Sequence, residues 1–235
     1  MHSRNPILAC CLLTSAALLA GEQQLHSDFA QVDGKNGIVT YKGNARLFDE
    51  NVAIASDEMV SKYNEKGEIE FTRLTGSPAR LEHTDPVTGS KSFAEANEIV
   101  YRANIGRIEL QGSVLLQQDD KTTHTRVSAS KLVLQQQDKH ISEMDAVGKP
   151  ALFERQQNQE PMYQGQALNI SYRDNGQLLK LEGEARLTQG SSILEHQIII
   201  HDGVNRRTTL PKRDGVQNNI ILRATPKTEP AKQHD

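Results

Sequence analysis

Five glycines punctuate the chain at nearly even intervals: Gly43, Gly76, Gly112, Gly148 and Gly183 lie 33, 36, 36 and 35 residues apart. A period of this size marks a repeat architecture, in which each supersecondary unit buries its apolar face against its neighbours. The unit is strand-based. In IELQGSVLL, Ile108, Leu110, Gly112, Val114 and Leu116 alternate with Glu109, Gln111 and Ser113, the period of two that separates the faces of a strand. The same frame returns at Val39, Tyr41, Gly43, Ala45 and Leu47, and at Leu179, Leu181, Gly183, Ala185 and Leu187. No segment of useful length keeps apolar residues at helical spacing.

A second motif interleaves with the glycines: SDEMVS from Ser56, ANEIVY from Ala96, ASKLVL from Ala129, ALNISY from Ala167 and, most loosely, HQIIIH from His196. All but the last open on a short residue, and each passes through a mostly polar pair and continues as an alternating strand. Around Gly76 and Gly148 the frame changes. Ala79 and Leu81, or Ala151 and Phe153, stand at odd distance from the glycine, so a residue must loop out if the apolar face is to continue. Pro78 and Pro150 sit there, and proline, lacking the N–H of a ladder, suits a bulge.

Two alternating rung types are therefore predicted, smooth at Gly43, Gly112 and Gly183 and bulged at Gly76 and Gly148. The expected fold is all-β: an elongated, open-ended, jellyroll- or solenoid-like body of antiparallel strands with internal repeats of about 35 residues. Roughly sixteen to twenty short strands split over two sheets give a body about 40–50 Å long. A plain β-sandwich with regular turns is the alternative.

The N-terminus, MHSRNPILACCLLTSAALLAGEQ, has one basic residue, an apolar run from Ile7 to Ala20 and small residues at its end. It reads as a secretory leader cut near Ala20, too short to span a bilayer comfortably; a retained anchor and a lipoprotein site at Cys10 are the alternatives. Cys10 and Cys11 both fall inside it, so the mature chain enters an oxidising compartment without cysteine and is held by burial and backbone pairing. The expected division is a leader at 1–20, a β body at 21–203 and a basic tail at 204–235. The formal charge of −3 becomes −4 once Arg4 is removed, and the tail holds seven Lys/Arg against three acids. The body is thus about −8, which argues against a nucleic-acid partner.

The combination of this leader with GIVTYKGNARLF, GKPALFERQQNQEPMYQGQALNISYRDNGQLLKLEGEARLTQ and a basic end resembles the periplasmic lipopolysaccharide-transport family of LptA (OstA-like) proteins, over residues 37–202. The chain is longer than a typical soluble member, and its tail matches only in being basic; an inner-membrane-anchored paralogue of the same pathway is the variant reading. The resemblance implies an open-ended β-jellyroll that binds the lipid A part of lipopolysaccharide and docks end to end with like-folded domains. The implied partners are lipopolysaccharide, an inner-membrane transporter complex with its anchored periplasmic subunit, an outer-membrane translocon, and a second copy of the chain.

The physics is consistent. Each acyl methylene removed from water is worth about 0.8 kcal/mol, so a ~12-carbon chain left exposed costs on the order of 10 kcal/mol. A carrier must cover it continuously. The candidate lining is Tyr41, Leu47, Leu81, Tyr101, Leu110, Leu116, Phe153, Tyr172, Leu181 and Leu187, with Arg155 and Gln117 expected on the outward face. Plain core packing explains the same residues equally well. Low aromatic content, 4% with no Trp, and small residues such as Ala45, Ala151 and Ala185 leave room for a ligand or let two sheets approach.

Catalytic, cofactor and metal signals are absent from the sequence pattern. There is no Gly-x-Ser-x-Gly, phosphate loop or Cys-His pair, and His196 and His201, five apart, face opposite sides of a straight strand. Asp57 with Glu58 and Asp119 with Asp120 read as solvated turn residues. A β-helix polysaccharide lyase is the enzyme-class alternative, although its rungs run parallel at shorter period. The first strand, at residues 26–32, and the last, around Asn218–Ala224, lack a strong cluster of charges or prolines to blunt them; Ile220, Ile221 and Leu222 are the candidate docking edge, by strand addition.

Overall fold

The computed structural model describes residues 24–137, 140–158, 162–173, 177–212 and 219–221. The expected leader, and Leu222 of the expected docking edge, lie outside them. Fourteen strands are formed: β1 Gln24–His26, β2 Phe29–Asp33, β3 Ile38–Phe48, β4 Val52–Tyr63, β5 Ile69–Thr84, β6 Lys91–Arg102, β7 Arg107–Asp119, β8 Thr123–Gln137, β9 His140–Gln157, β10 Tyr163–Arg173, β11 Leu178–Gln189, β12 Ser192–Asp202, β13 Arg207–Thr209 and β14 Asn219–Ile221. They make one antiparallel sheet in the order β1–β3–β4–β5–β6–β7–β8–β9–β10–β11–β12–β13, with β2 also on β3 and β14 also on β12. The only helical element among the described residues is a 3-10 turn at Ala103–Ile105.

The strands are fewer and longer than the turn signals suggest, because each continues around a corner. Register shifts fall mid-strand in β3, β5, β7, β9 and β11 and in their partners, for example between Gln111 and Val114, Thr75 and Ala79, and Glu182 and Ala185. These breaks align across the sheet as a crease, where extra residues bend a strand and sharpen its twist. The crease divides one sheet into two arms. Arm A holds β1, β14 and the half of each long strand from Ala45–Ser56 outward; arm B holds β2, β13 and the other halves.

The glycine rungs expected to be smooth are bulged too. Gly112 has φ +78° and Ser113 φ +50°; Gly43 with Asn44 and Gly183 with Glu184 repeat this pair of left-handed residues. Glycine takes such a conformation without penalty, and a Cβ at Gly112 would stand 2.8 Å from the Asn97 side chain. The bulge at the proline copies is as expected: Gly76, Ser77 and Pro78 lie in the shift between Thr75 and Ala79.

The interleaved motif is the partner side of the crease. Buried Ser56 is followed by buried Met59, Ala96 by Ile99, Ala167 by Ile170 and His196 by Ile199, a step of three that slips the inward phase by one. Across it pair Ala45 with Ser56, Ala79 with Ala96, Val114 with Ala129, Ala151 with Ala167 and Ala185 with His196. The small residues line the inside of the fold line and let the arms close. Inward residues of both arms form one apolar cluster. The outer face carries cross-strand ion pairs such as Lys62–Glu70 at 2.7 Å and Arg80–Glu95 at 3.0 Å, each contributing at most about 1 kcal/mol.

Candidate functional site

The interior between the arms gathers most of the expected lining. Leu47, Leu81, Tyr101, Leu110, Leu116, Phe153, Tyr172, Leu181 and Leu187 are all buried in the single cluster, and Tyr41 is half-buried against it. Leu110, Leu132, Leu134, Ile141, Met144 and Leu181 are 0% exposed, so the middle of the interior is closed. Where Gly165 of arm A faces Leu181 of arm B, an added Cβ would meet a Leu181 methyl at 3.1 Å. Ala45, Ala151 and Ala185 serve the crease and leave no open slot.

The arms separate toward the C-terminal end. A cavity of about 380 Å3 opens there, with Phe153 and Tyr163 on arm A and Tyr172, Leu179 and His201 on arm B. Arg155, Gln157, Gln177 and Arg206 complete its rim. The Tyr163 and His201 rings meet across the gap with centroids 5.2 Å apart. His201 Nδ1 lies 2.9 Å from Thr208 Oγ1, and burial holds its pKa below the usual imidazole value despite neighbouring Asp202. Among the described residues no carboxylate lines this cavity. A second cavity, about 410 Å3 at the strand ends of arm A, has Asp49, Glu50, Glu82 and Asp119 in its lining.

Two expectations are corrected here. Arg155 stands two residues from Phe153 and therefore on the same, inward face, and it borders the cavity. His196 and His201 do not face opposite sides: the phase slip at the crease turns both inward, on different arms. Tyr163, Arg155, His201 and Arg206 were not singled out by sequence reasoning as a group. Their signal is positional, since Tyr163 shares parity with Gly165 and Ala167, and DGVNR at Asp202 repeats DGKNG at Asp33 with arginine where the first turn has glycine. Of the paired acids only Asp120 is the turn residue expected, its Oδ1 accepting the Thr122 and Thr123 N–H groups at 2.7 Å; Asp119 ends β7, and Asp57 and Glu58 lie within β4 at the crease, Glu58 pairing with Lys42 on the outer face. Among the described residues no group of three or more His, Cys, Asp or Glu is placed to hold a metal ion.

Both ends of the sheet are edges. β1 and β2 form one edge broken at Ser27–Asp28 beside the crease, and β13 and β14 form the other. The region expected as tail thus contributes two short strands, with Ile220 and Ile221 paired to Leu194 and Ile193.

A single sheet creased along its length, apolar within and unclosed at either end, defines an open β-jellyroll of the elongated kind. The family described as LptA/(LptD N-terminal domain) LPS transport protein matches residues 24–126 and again 121–207, and the chain belongs to this lipopolysaccharide-transport family. The two matches meet at the β7–β8 turn, so the sheet holds two successive family units. No curated protein matches the chain in sequence. Among solved structures it is similar to LptH, the LptA homologous periplasmic component of the conserved lipopolysaccharide transport device from Pseudomonas aeruginosa. The identity is 18% over 57% of this chain and 87% of that one, with a TM-score of 0.46.

Proposed function

We propose that the chain is a periplasmic bridge protein that shields lipid A acyl chains between its arms and helps carry lipopolysaccharide from the inner to the outer membrane. It docks end to end with like-folded edges: those of the anchored periplasmic subunit of the inner-membrane transporter, of the outer-membrane translocon, and of further copies of itself. Residues 1–20 act as the leader, 21–203 as the carrier and 204–235 as the docking tail. Family membership supports the pathway.

The observation that carries the docking is the direction of the two edges. β1 to β2 runs from arm A across the crease to arm B, whereas β13 to β14 runs from arm B to arm A. Counting β1 with β2 and β13 with β14, the sheet has twelve rungs, an even number, so a following copy continues the antiparallel alternation. The rows also agree. Following the register from rung to rung, Asp33 at one edge and Arg207 at the other occupy the same level of arm B, which brings opposite charges together in a docked pair. Because such a contact is heterologous and does not close, it yields linear assemblies.

Light scattering over a concentration series tests this. Wild type is expected to grow with concentration, and Ile221→Pro, which removes a ladder donor and fixes φ, to remain small; a wild type that stays monomeric, or a variant that grows equally, defeats the docking. Acyl chains enter where the arms part, so a photo-crosslinker at Phe153, which lines the opening, should capture lipopolysaccharide while one at outward Gln117 should not, and one at Leu116 should do so only if the chains part the arms farther in.

A further inference from the structure

The cavity at the C-terminal end differs in chemistry from the rest of the interior. Its floor is apolar, made by Phe153, Tyr172 and Leu179, and its rim brings in two guanidinium groups, Arg155 from arm A and Arg206 from the β12–β13 turn, with no acid among the described lining residues. Tyrosine and glutamine side chains add neutral hydrogen-bonding groups there. Arg206 has φ +49°, a left-handed conformation that disfavours a residue with a Cβ. Gly37 occupies the same position of the corresponding N-terminal turn, also with positive φ. A strained position filled by arginine where glycine fits better points to a use for the side chain.

We propose that this cavity is a head-group subsite for an anionic amphiphile, a phosphate monoester held between Arg155 and Arg206 with its alkyl chain over Phe153, Tyr172 and Leu179. Planar guanidinium groups suit a phosphate because each offers a fork of parallel donors. The apolar floor accounts for the alkyl part, and the volume, equal to roughly a dozen water-sized groups at about 30 Å3 each, accommodates the head with the first methylenes. The chain then continues toward Leu187 and Leu181 by parting the arms. Placed at the C-terminal end, the subsite orients a bound amphiphile with its head at the lateral opening beside β13. This inference rests on the carrier reading and adds the position and charge of the head.

Isothermal titration of the full chain with dodecyl phosphate, dodecyl maltoside and inorganic phosphate, each below micelle formation, separates the two readings. Wild type is expected to bind dodecyl phosphate about tenfold more tightly than dodecyl maltoside, the size of one charge-assisted bond, and inorganic phosphate far more weakly than either. Arg155→Gln/Arg206→Gln should lose that preference and keep the maltoside affinity, with an unchanged circular dichroism spectrum. Equal binding of both amphiphiles by wild type, or a preference that survives in the variant, overturns the subsite but leaves the carrier standing. Inorganic phosphate bound as tightly as dodecyl phosphate overturns the amphiphile and makes this a free-anion site. Absence of binding by either amphiphile overturns the subsite and the apolar carrier together.

Discussion

The closeness of the two arms is open to direct test at Gly165. A Cβ there would lie 3.1 and 3.4 Å from the two Leu181 methyls and 3.8 Å from Phe153 Cβ. Leu181 is fully buried, so it has nowhere to retreat. For Gly165→Ala, the gain of about 0.4–1 kcal/mol from a stiffer unfolded chain offsets a contact a few tenths of an ångström too tight, and stability should hardly change. Gly165→Val adds two methyl groups with no space for them and should cost about 1–3 kcal/mol. Leu181→Ala alone leaves a cavity and should cost about 2–5 kcal/mol. Leu→Ala removes as many carbons as Gly→Val adds, so the double variant should be more stable than the sum of the two by about 0.5–3 kcal/mol. Urea unfolding at constant m reads all four. Simple additivity, or a Gly165→Val protein as stable as wild type, would refute the facing of the arms at this rung.

Ser56 Oγ is buried at the crease with no hydrogen-bond partner, where three of the other four copies of the motif have alanine, so Ser56→Ala should stabilise the fold by about 1 kcal/mol, seen as a higher urea midpoint. Glu184, at φ +51°, should tolerate Glu184→Asn with a gain of about 0.5–1 kcal/mol, because asparagine accepts the left-handed region more readily and already stands at the same place as Asn44; a loss would mean that the Glu184 side chain matters. His83 and His201 are held below the usual imidazole pKa by burial, which outweighs Asp85 and Asp202. The unfolded chain therefore takes up these protons first, and the stability they contribute is complete above about pH 6.5 and lost as pH falls through the folded values. The urea midpoint should drop between pH 7 and pH 5, less so in His83→Gln/His201→Gln, whereas Asp33, Asp85 and Asp202, lowered by turn hydrogen bonds, act only below about pH 4.

The inward faces were legible because alternation is a backbone property: Ile108, Leu110, Val114 and Leu116 read as one face and are one face. The crease was half legible. Proline and odd spacing announced the bulge at Pro78 and Pro150, but the left-handed pairs at Gly112–Ser113 and Gly183–Glu184 preserve even spacing, so nothing in the apolar pattern betrays them. The step of three in SDEMV and ANEIV carries the same phase slip from the partner strand; as a motif it was visible, as a corner it was not, since its meaning depends on which strand lies opposite. Overlooking that slip sent His201 to the wrong face, and overlooking parity did so for Arg155. The cavity itself was invisible, because Tyr163, Arg155 and Arg206 meet only when β9, β10 and the β12–β13 turn close across the gap.

The sheet's even rung count has an arithmetic consequence. Each glycine interval spans two rungs and each family unit six, so blocks of either kind can be gained or lost without changing the relative direction of the end strands. Length is then adjustable in steps of about 10 Å, two strand spacings, and every product keeps its two end strands antiparallel. A single added strand would reverse one end, so that the proposed end-to-end contact would need a parallel ladder of slanted bonds. The two family matches joined at the β7–β8 turn fit such bookkeeping: a longer creased sheet whose middle joint is covalent, with its end strands in the same relative direction as those of a shorter one.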